Sequence, residues 1–236
     1  MLRHAEVMPI SVPAPLAPAT ALVLTSYPSS LTLVGWSSLP ASRELEAFLR
    51  ALSSVGPDAP TACDGWSAHE LVAHLAAGSK EMARLVDARL ALGPGADLGP
   101  TREFEEREAP FRAMTDGRLR RQFVMEGLAL TRSVLRLRRV NPKATVAFTG
   151  WPMTADDLIR HGRSELILHR WDLVGSDDVS RCLLDDPALA AHAEEALARM
   201  GLSEGWAAPD ADPAASTADT LLTMWGRAPA RELAQV

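Results

Sequence analysis

Four stretches between Pro40 and Gly175 carry apolar residues at three- and four-residue spacing, and each is closed by proline, glycine or a turn sequence. That period belongs to helices that bury one stripe against other helices, and it restricts the chain to a helical bundle. In the first stretch Leu45, Phe48, Leu49 and Leu52 recur before Pro57 to Pro60. The second opens at Ser67, with Glu70 three residues on in capping-box register, and runs through Leu71, Leu75, Met82, Leu85 and Val86 to Gly93-Pro94-Gly95. An acid-rich segment, Thr101–Glu108, follows Pro100; Pro110 or Thr115-Asp116-Gly117 interrupts it, and residues 118–139 resume with Leu119, Phe123, Leu128, Leu130, Leu135 and Leu137. Thr154 and Asp157 repeat the cap pattern before a fourth helix, 155–174, with Gly175-Ser176 as its exit.

Four helices of similar length joined by connectors make an all-α bundle. Asn141–Pro152 reads as one connector, with a short extended piece at Thr145–Phe148. No convincing alternating strands occur, so Rossmann and barrel architectures fit the pattern poorly. Residues 176–236 suggest two more helices, Pro187–Met200 and Ala218–Trp225, forming a short, mainly helical extension. Residues 1–38 form a loosely ordered, proline-rich leader, because prolines break its apolar run and the basic flank of a signal peptide is missing. Residues 39–175 are then the bundle.

Composition narrows the functional classes. Across 236 residues, 24 Lys+Arg against 30 Asp+Glu give a formal charge of -6, which argues against a nucleic-acid binder. The arginines at 118, 120, 121, 132, 136, 138 and 139 are spread around one helix, and they read as a solvated face or as partners for the acidic 103–108 run. No apolar window is long enough to span a membrane. Two cysteines, Cys63 and Cys182, form no disulfide framework and suit a reducing cytoplasm.

The chemistry-bearing residues gather on helix faces. His161, Glu165 and His169 stand at i, i+4 and i+8 of the fourth helix. Glu165 and His169 are either a solvated pair or two ligands for a divalent metal. His74 borders the inward stripe of the second helix, as a core-edge histidine or as a third ligand from across the bundle. Two histidines and one carboxylate leave a fourth position open, as in catalytic zinc sites. His161 reads as another ligand, an outer donor or a base, and Asp172 as a group orienting a ligand imidazole or pairing with Arg170. Trp66 and Trp171 read as packing residues and His69 as exposed. Cys63 has no basic partner at a recognisable spacing, and Cys182 and His192 are unassigned.

The stretch Cys63-Asp-Gly-Trp-Ser-Ala-His-Glu-Leu-Val-Ala-His74 resembles the opening motif of DinB-like proteins, and Arg163-Ser-Glu-Leu-Ile-Leu-His-Arg-Trp-Asp-Leu173 is similar to the Glu-x-x-x-His-Arg-Trp-Asp signature of mycothiol-dependent maleylpyruvate isomerase N-terminal domains. The resemblance covers residues 40–175. It implies an up-down-down-up four-helix bundle with a divalent metal, usually zinc, held by His74, Glu165 and His169. It further implies mycothiol, the cysteinyl pseudodisaccharide of actinobacteria, as thiol cofactor or co-substrate. Ala218–Arg227 resembles the terminal Gly-Arg motif of isomerase-type members, in a reduced C-terminal region where Arg227 reaches a carboxylate or the thiol.

The expected function is therefore a metal-dependent, mycothiol-dependent enzyme that activates a thiol for attack on an electrophilic small molecule. Its reaction is S-transfer or cis-trans isomerisation of the maleylpyruvate type, with His161, Asp172 and Arg227 assisting. The alternative is a non-catalytic, metal-stabilised interaction or ligand-binding protein. Either is expected as a cytoplasmic monomer or homodimer without nucleic-acid or membrane partners.

Overall fold

A computed structural model describes residues 42–199 and 216–227; the leader lies outside them. The elements run α1 (Arg43–Ser53), α2 (Ala68–Leu92), α3 (Phe104–Arg112), α4 (Asp116–Val140), β1 (Val146–Phe148), β2 (Trp151–Met153), α5 (Ala155–Val174), α6 (Asp178–Leu184), α7 (Pro187–Arg199) and α8 (Thr217–Met224). Helices α1, α2, α4 and α5 form a four-helix bundle, and α6–α8 make the helical extension. The four are not of similar length: α1 has 11 residues against 25 in α2 and α4. Among the described residues no helix is long and apolar enough to cross a membrane.

Both cap patterns form. The Ser67 hydroxyl accepts from the Glu70 amide at 3.3 Å while the Glu70 carboxylate accepts from the Ser67 amide at 2.7 Å. Thr154 and Asp157 make the same reciprocal pair at the start of α5. These two helices carry the histidine and glutamate motifs, so the caps fix the first turn from which each motif projects. Ser67→Ala is expected to cost about 1 kcal/mol in urea unfolding.

Packing follows the apolar stripes. Leu71 and Leu75 of α2 meet Leu119 and Phe123 of α4, and Phe48 of α1 packs edge-on against Phe123 with ring centroids 5.4 Å apart. Farther along, Met82, Leu85 and Val86 join Val134 and Leu137. The extension covers a separate face, with Leu183, Leu184, Leu189, Leu221 and Leu222 on Ile167, Leu168 and Trp171 of α5.

Three features refine the sequence reading. Of the two interruptions it allows, Pro110 lies inside α3, and the break falls at Ala113–Thr115, beside the Thr115-Asp116-Gly117 alternative, with Thr115 at the N-cap position of α4. The connector holds a two-stranded antiparallel hairpin, with Val146 opposite Met153 and Phe148 opposite Trp151, all four buried. Its two-residue turn, Thr149-Gly150, has positive φ at both positions (50° and 83°), the geometry of tight hairpins. Strands of three residues are too short for alternation to register. Finally, the extension holds α6 in addition to the two helices expected. Met200, the expected end of the first, lies outside the described residues.

Candidate metal centre

Helix α2 brings His74 to α5, where Glu165 and His169 stand one turn apart. Glu165 Oε2 lies 3.4 Å from His74 Nε2 and 3.4 Å from His169 Nε2. One ligand atom from each residue falls within 4.8 Å of the others. A tetrahedral zinc site with bonds of ~2.0–2.1 Å has edges of roughly 3.4 Å, so the donor set fits the ion. The three side chains retain 15%, 23% and 9% of their surface, which leaves Glu165 as the open side of the cluster.

The opposite nitrogen of each imidazole is fixed by a buried carboxylate. His74 Nδ1 meets Glu108 Oε1 at 2.8 Å, and His169 Nδ1 meets Asp172 Oδ2 at 2.8 Å. Such carboxylate–imidazole pairs select the tautomer with Nδ1–H and leave Nε2 free to ligate. Asp172 thus pairs with the His169 imidazole. The pairing with Arg170 does not form, because Arg170 turns to Asp177 at 2.7 Å. Glu108 was missed: the acidic run reads as a helix start, and only folding α3 against α2 reveals its contact.

Electrostatics reinforce the geometry. Burial pushes the Glu165 carboxyl up, but hydrogen bonds from His169 and His74 hold it well below the usual range. Burial opposes charge on His169 too, yet Asp172, Cys63 and Glu165 keep its pKa well above the ordinary value. His74 is raised despite burial through Glu108 and Glu165. The field that retains protons on both imidazoles is the field a divalent cation would meet, and the cation would displace those protons.

A second layer joins the extension to this centre. Both Asp172 oxygens accept from Arg227, Oδ1 from Nε at 2.6 Å and Oδ2 from Nη2 at 2.5 Å, while Arg227 Nη1 donates to the Trp225 carbonyl at 3.0 Å. Arg227 is therefore bound to the Asp172 carboxylate of α5. Cys63 corrects the sequence reading: its thiol donates to Asp172 Oδ2 at 3.1 Å and lies 3.9 Å from His169 Nδ1 and 3.7 Å from Arg227 Nη2. Cys63, His169 and Asp172 also come close enough to share an ion. The Arg227 guanidinium already neutralises that carboxylate, so the His74 cluster is the better cation site.

His161 stands beside the triad rather than in it. Its Nδ1 faces His192 Nε2 at 3.5 Å, and its ring packs on Phe148 at 5.6 Å. Burial pushes both imidazoles down, His192 to about 4. His192, unassigned from sequence, is thus a buried neighbour stacked on Trp151. Trp66 flanks His74 with ring centroids 5.0 Å apart, whereas Trp171 packs into the core under the extension. His69 is half-buried, with Nε2 3.1 Å from the Arg112 carbonyl, and is not an exposed side chain. The α4 arginines do not pair with the acidic run: Arg120 bridges Asp116, Arg138 bridges Asp156, and Arg112 of α3 takes Glu105 and Glu108.

Comparison with known proteins adds three findings. No curated protein matches the chain. Two crystal structures of mycothiol-dependent maleylpyruvate isomerase, one of a histidine-to-alanine mutant, each show 17% identity and a TM-score of 0.49, over 64% of this chain and 70% of theirs. The family model for the mycothiol maleylpyruvate isomerase N-terminal domain matches residues 39–174, the span that holds the bundle and all three clustered donors. The chain belongs to that family, within the DinB-like superfamily.

Proposed function

We propose that the protein is a zinc-dependent enzyme that uses mycothiol to attack an electrophilic small molecule, by S-transfer or by cis-trans isomerisation. The observation that carries this reading is the convergence of two carboxylate-anchored imidazoles on Glu165. When bound, the cation supplies a fixed positive charge that favours thiolate over thiol at neutral pH. His74, Glu165 and His169 hold it, and Glu108 and Asp172 keep both Nε2 atoms aimed inward. Arg227 positions Asp172. His161, held neutral by burial, borders the cluster as an uncharged hydrogen-bonding group. Trp66 shields the His74 side of the cluster from water. The exposure retained by Glu165 supports a site open to small molecules over a sealed structural one.

The test is zinc-loaded protein incubated with mycothiol and either chlorodinitrobenzene or maleylpyruvate. Zinc-dependent conjugate or isomer formation that disappears in His169→Ala is expected. Stoichiometric zinc without turnover of either compound would instead favour a metal-stabilised binding protein.

A further inference from the structure

Helix α4 turns one face inward and leaves the opposite face uncovered among the described residues. Leu119, Phe123, Val134 and Leu137 face α2 and are buried. Two of the seven α4 arginines are engaged on the flank of that face, Arg120 with Asp116 and Arg138 with Asp156. Arg118, Arg121, Arg132, Arg136 and Arg139 are exposed, and among the described residues none of them makes a side-chain hydrogen bond or ion pair. At about 100° per residue these five fall in one strip roughly 60° wide, turned away from the Leu119–Leu137 side. The arginines look scattered in the sequence only because the two paired ones stand apart from this strip. Met125 (56% exposed), Leu135 (40%) and the half-buried Leu128 share the same outer face, whereas Asp116 and Glu126 fall toward the core side. From Arg118 through Arg121, Met125, Leu128, Arg132 and Leu135 to Arg139 the steps alternate between three and four residues. That is the spacing of a seam along which one helix packs on another.

We propose that the outer face of α4 docks an acidic amphipathic helix of a partner protein. The seam spacing keeps a single partner helix in register for about 32 Å at 1.5 Å per residue. Carboxylates of that helix opposite the arginines would form charge-assisted, bidentate hydrogen bonds. Its apolar residues would bury Met125, Leu128 and Leu135, and methionine and arginine are side chains that protein interfaces favour. Other occupants fit this strip less well. A bilayer would have to take in guanidinium groups together with the apolar side chains, because the two kinds share one face instead of lying on opposite ones. Nucleic acid would satisfy the arginines and leave the three apolar side chains uncovered, with no aromatic ring in the strip to stack on a base. The formal charge of -6 on the whole chain also opposes it. Two copies meeting through α4 would set arginine against arginine. The docking face shares no residue with the metal cluster.

The experiment titrates full-length protein into a fluorescein-labelled synthetic peptide of about three heptads, with glutamate opposite the arginine positions and leucine opposite the apolar ones. A scrambled peptide of identical composition, phosphatidylglycerol vesicles and duplex DNA are titrated in parallel, and sedimentation records the oligomeric state. The helical peptide is expected to bind in the micromolar range, and the scrambled one about tenfold or more weaker, because only an ordered face aligns both kinds of contact. Arg121→Glu/Arg132→Glu should weaken the helical peptide about tenfold or more, and Met125→Asp by a smaller factor. Arg43→Glu/Arg50→Glu makes the same change of net charge on exposed positions of α1 and should leave binding unchanged. The five substituted side chains are all exposed, which keeps the fold intact in each variant. Five results would each overturn the proposal: equal affinity for the scrambled peptide, equal losses in the α1 and α4 variants, vesicles or DNA bound in preference to the peptide, a wild-type dimer that dissociates in Arg121→Glu/Arg132→Glu, or no peptide binding up to millimolar protein.

Discussion

On the proposed reading, zinc binding is expected to be lost in His169→Ala and weakened about 10–100-fold in Glu108→Ala, when both are titrated against a chromogenic chelator. The two variants separate a ligand from the group that aims one. On that reading His169 is one of three protein donors among the described residues, with its Nε2 3.4 Å from the Glu165 oxygen; without it two donors would remain, too few for a tetrahedral site. Glu108 does not touch the ion position. Its removal frees the His74 ring to rotate and removes the negative charge that makes Nε2 more basic. The same titration across about pH 6 to 8 should show affinity rising with pH, because both imidazoles are raised in the apo-protein and must shed protons to ligate. The slope approaches about tenfold per pH unit for each proton displaced. Wild-type zinc affinity in His169→Ala would remove the ion from this cluster.

What was legible in the sequence is what a single helix fixes. Glu165 and His169 share a face through their four-residue spacing, and the Ser67/Glu70 and Thr154/Asp157 caps need only one turn each. The apolar stripes gave the bundle for the same reason. Placing His74 opposite Glu165 needed more than spacing, and the motif order supplied it. Contacts created by chain folding were invisible. Glu108 is 34 residues from His74, and Cys63 is 109 from Asp172, so neither pairing leaves a local period. The extended piece at Thr145–Phe148 was legible and forms β1, but its partner β2 and their pairing escaped because the strands are three residues long.

The extension is held to the bundle by a pairing whose loss should be the largest stability change in the molecule outside the apolar core. Asp172→Ala is expected to cost about 3–5 kcal/mol in urea unfolding of zinc-free protein, because it leaves Arg227 as a buried charge without its partner. The Asp172 side chain is 0% exposed and Arg227 only 14%, so water compensates little. Arg227→Ala should cost a similar amount by stranding the carboxylate. The double variant should cost clearly less than the sum of the singles, since neither charge then remains alone. The pH dependence gives an independent reading. Burial pushes Asp172 up, but Arg227 and then His169 pull it down to about 2, below its unfolded value near 3.9. A depressed carboxylate stabilises the fold above the unfolded pKa, and that contribution fades as pH falls toward 2. In wild type the acid limb of the stability curve should therefore steepen below about pH 4, and in Asp172→Ala it should be shallower. A cost under about 1 kcal/mol, with an unchanged acid limb, would mean that the apolar contacts of Leu183, Leu189 and Leu221 with α5 hold the extension by themselves.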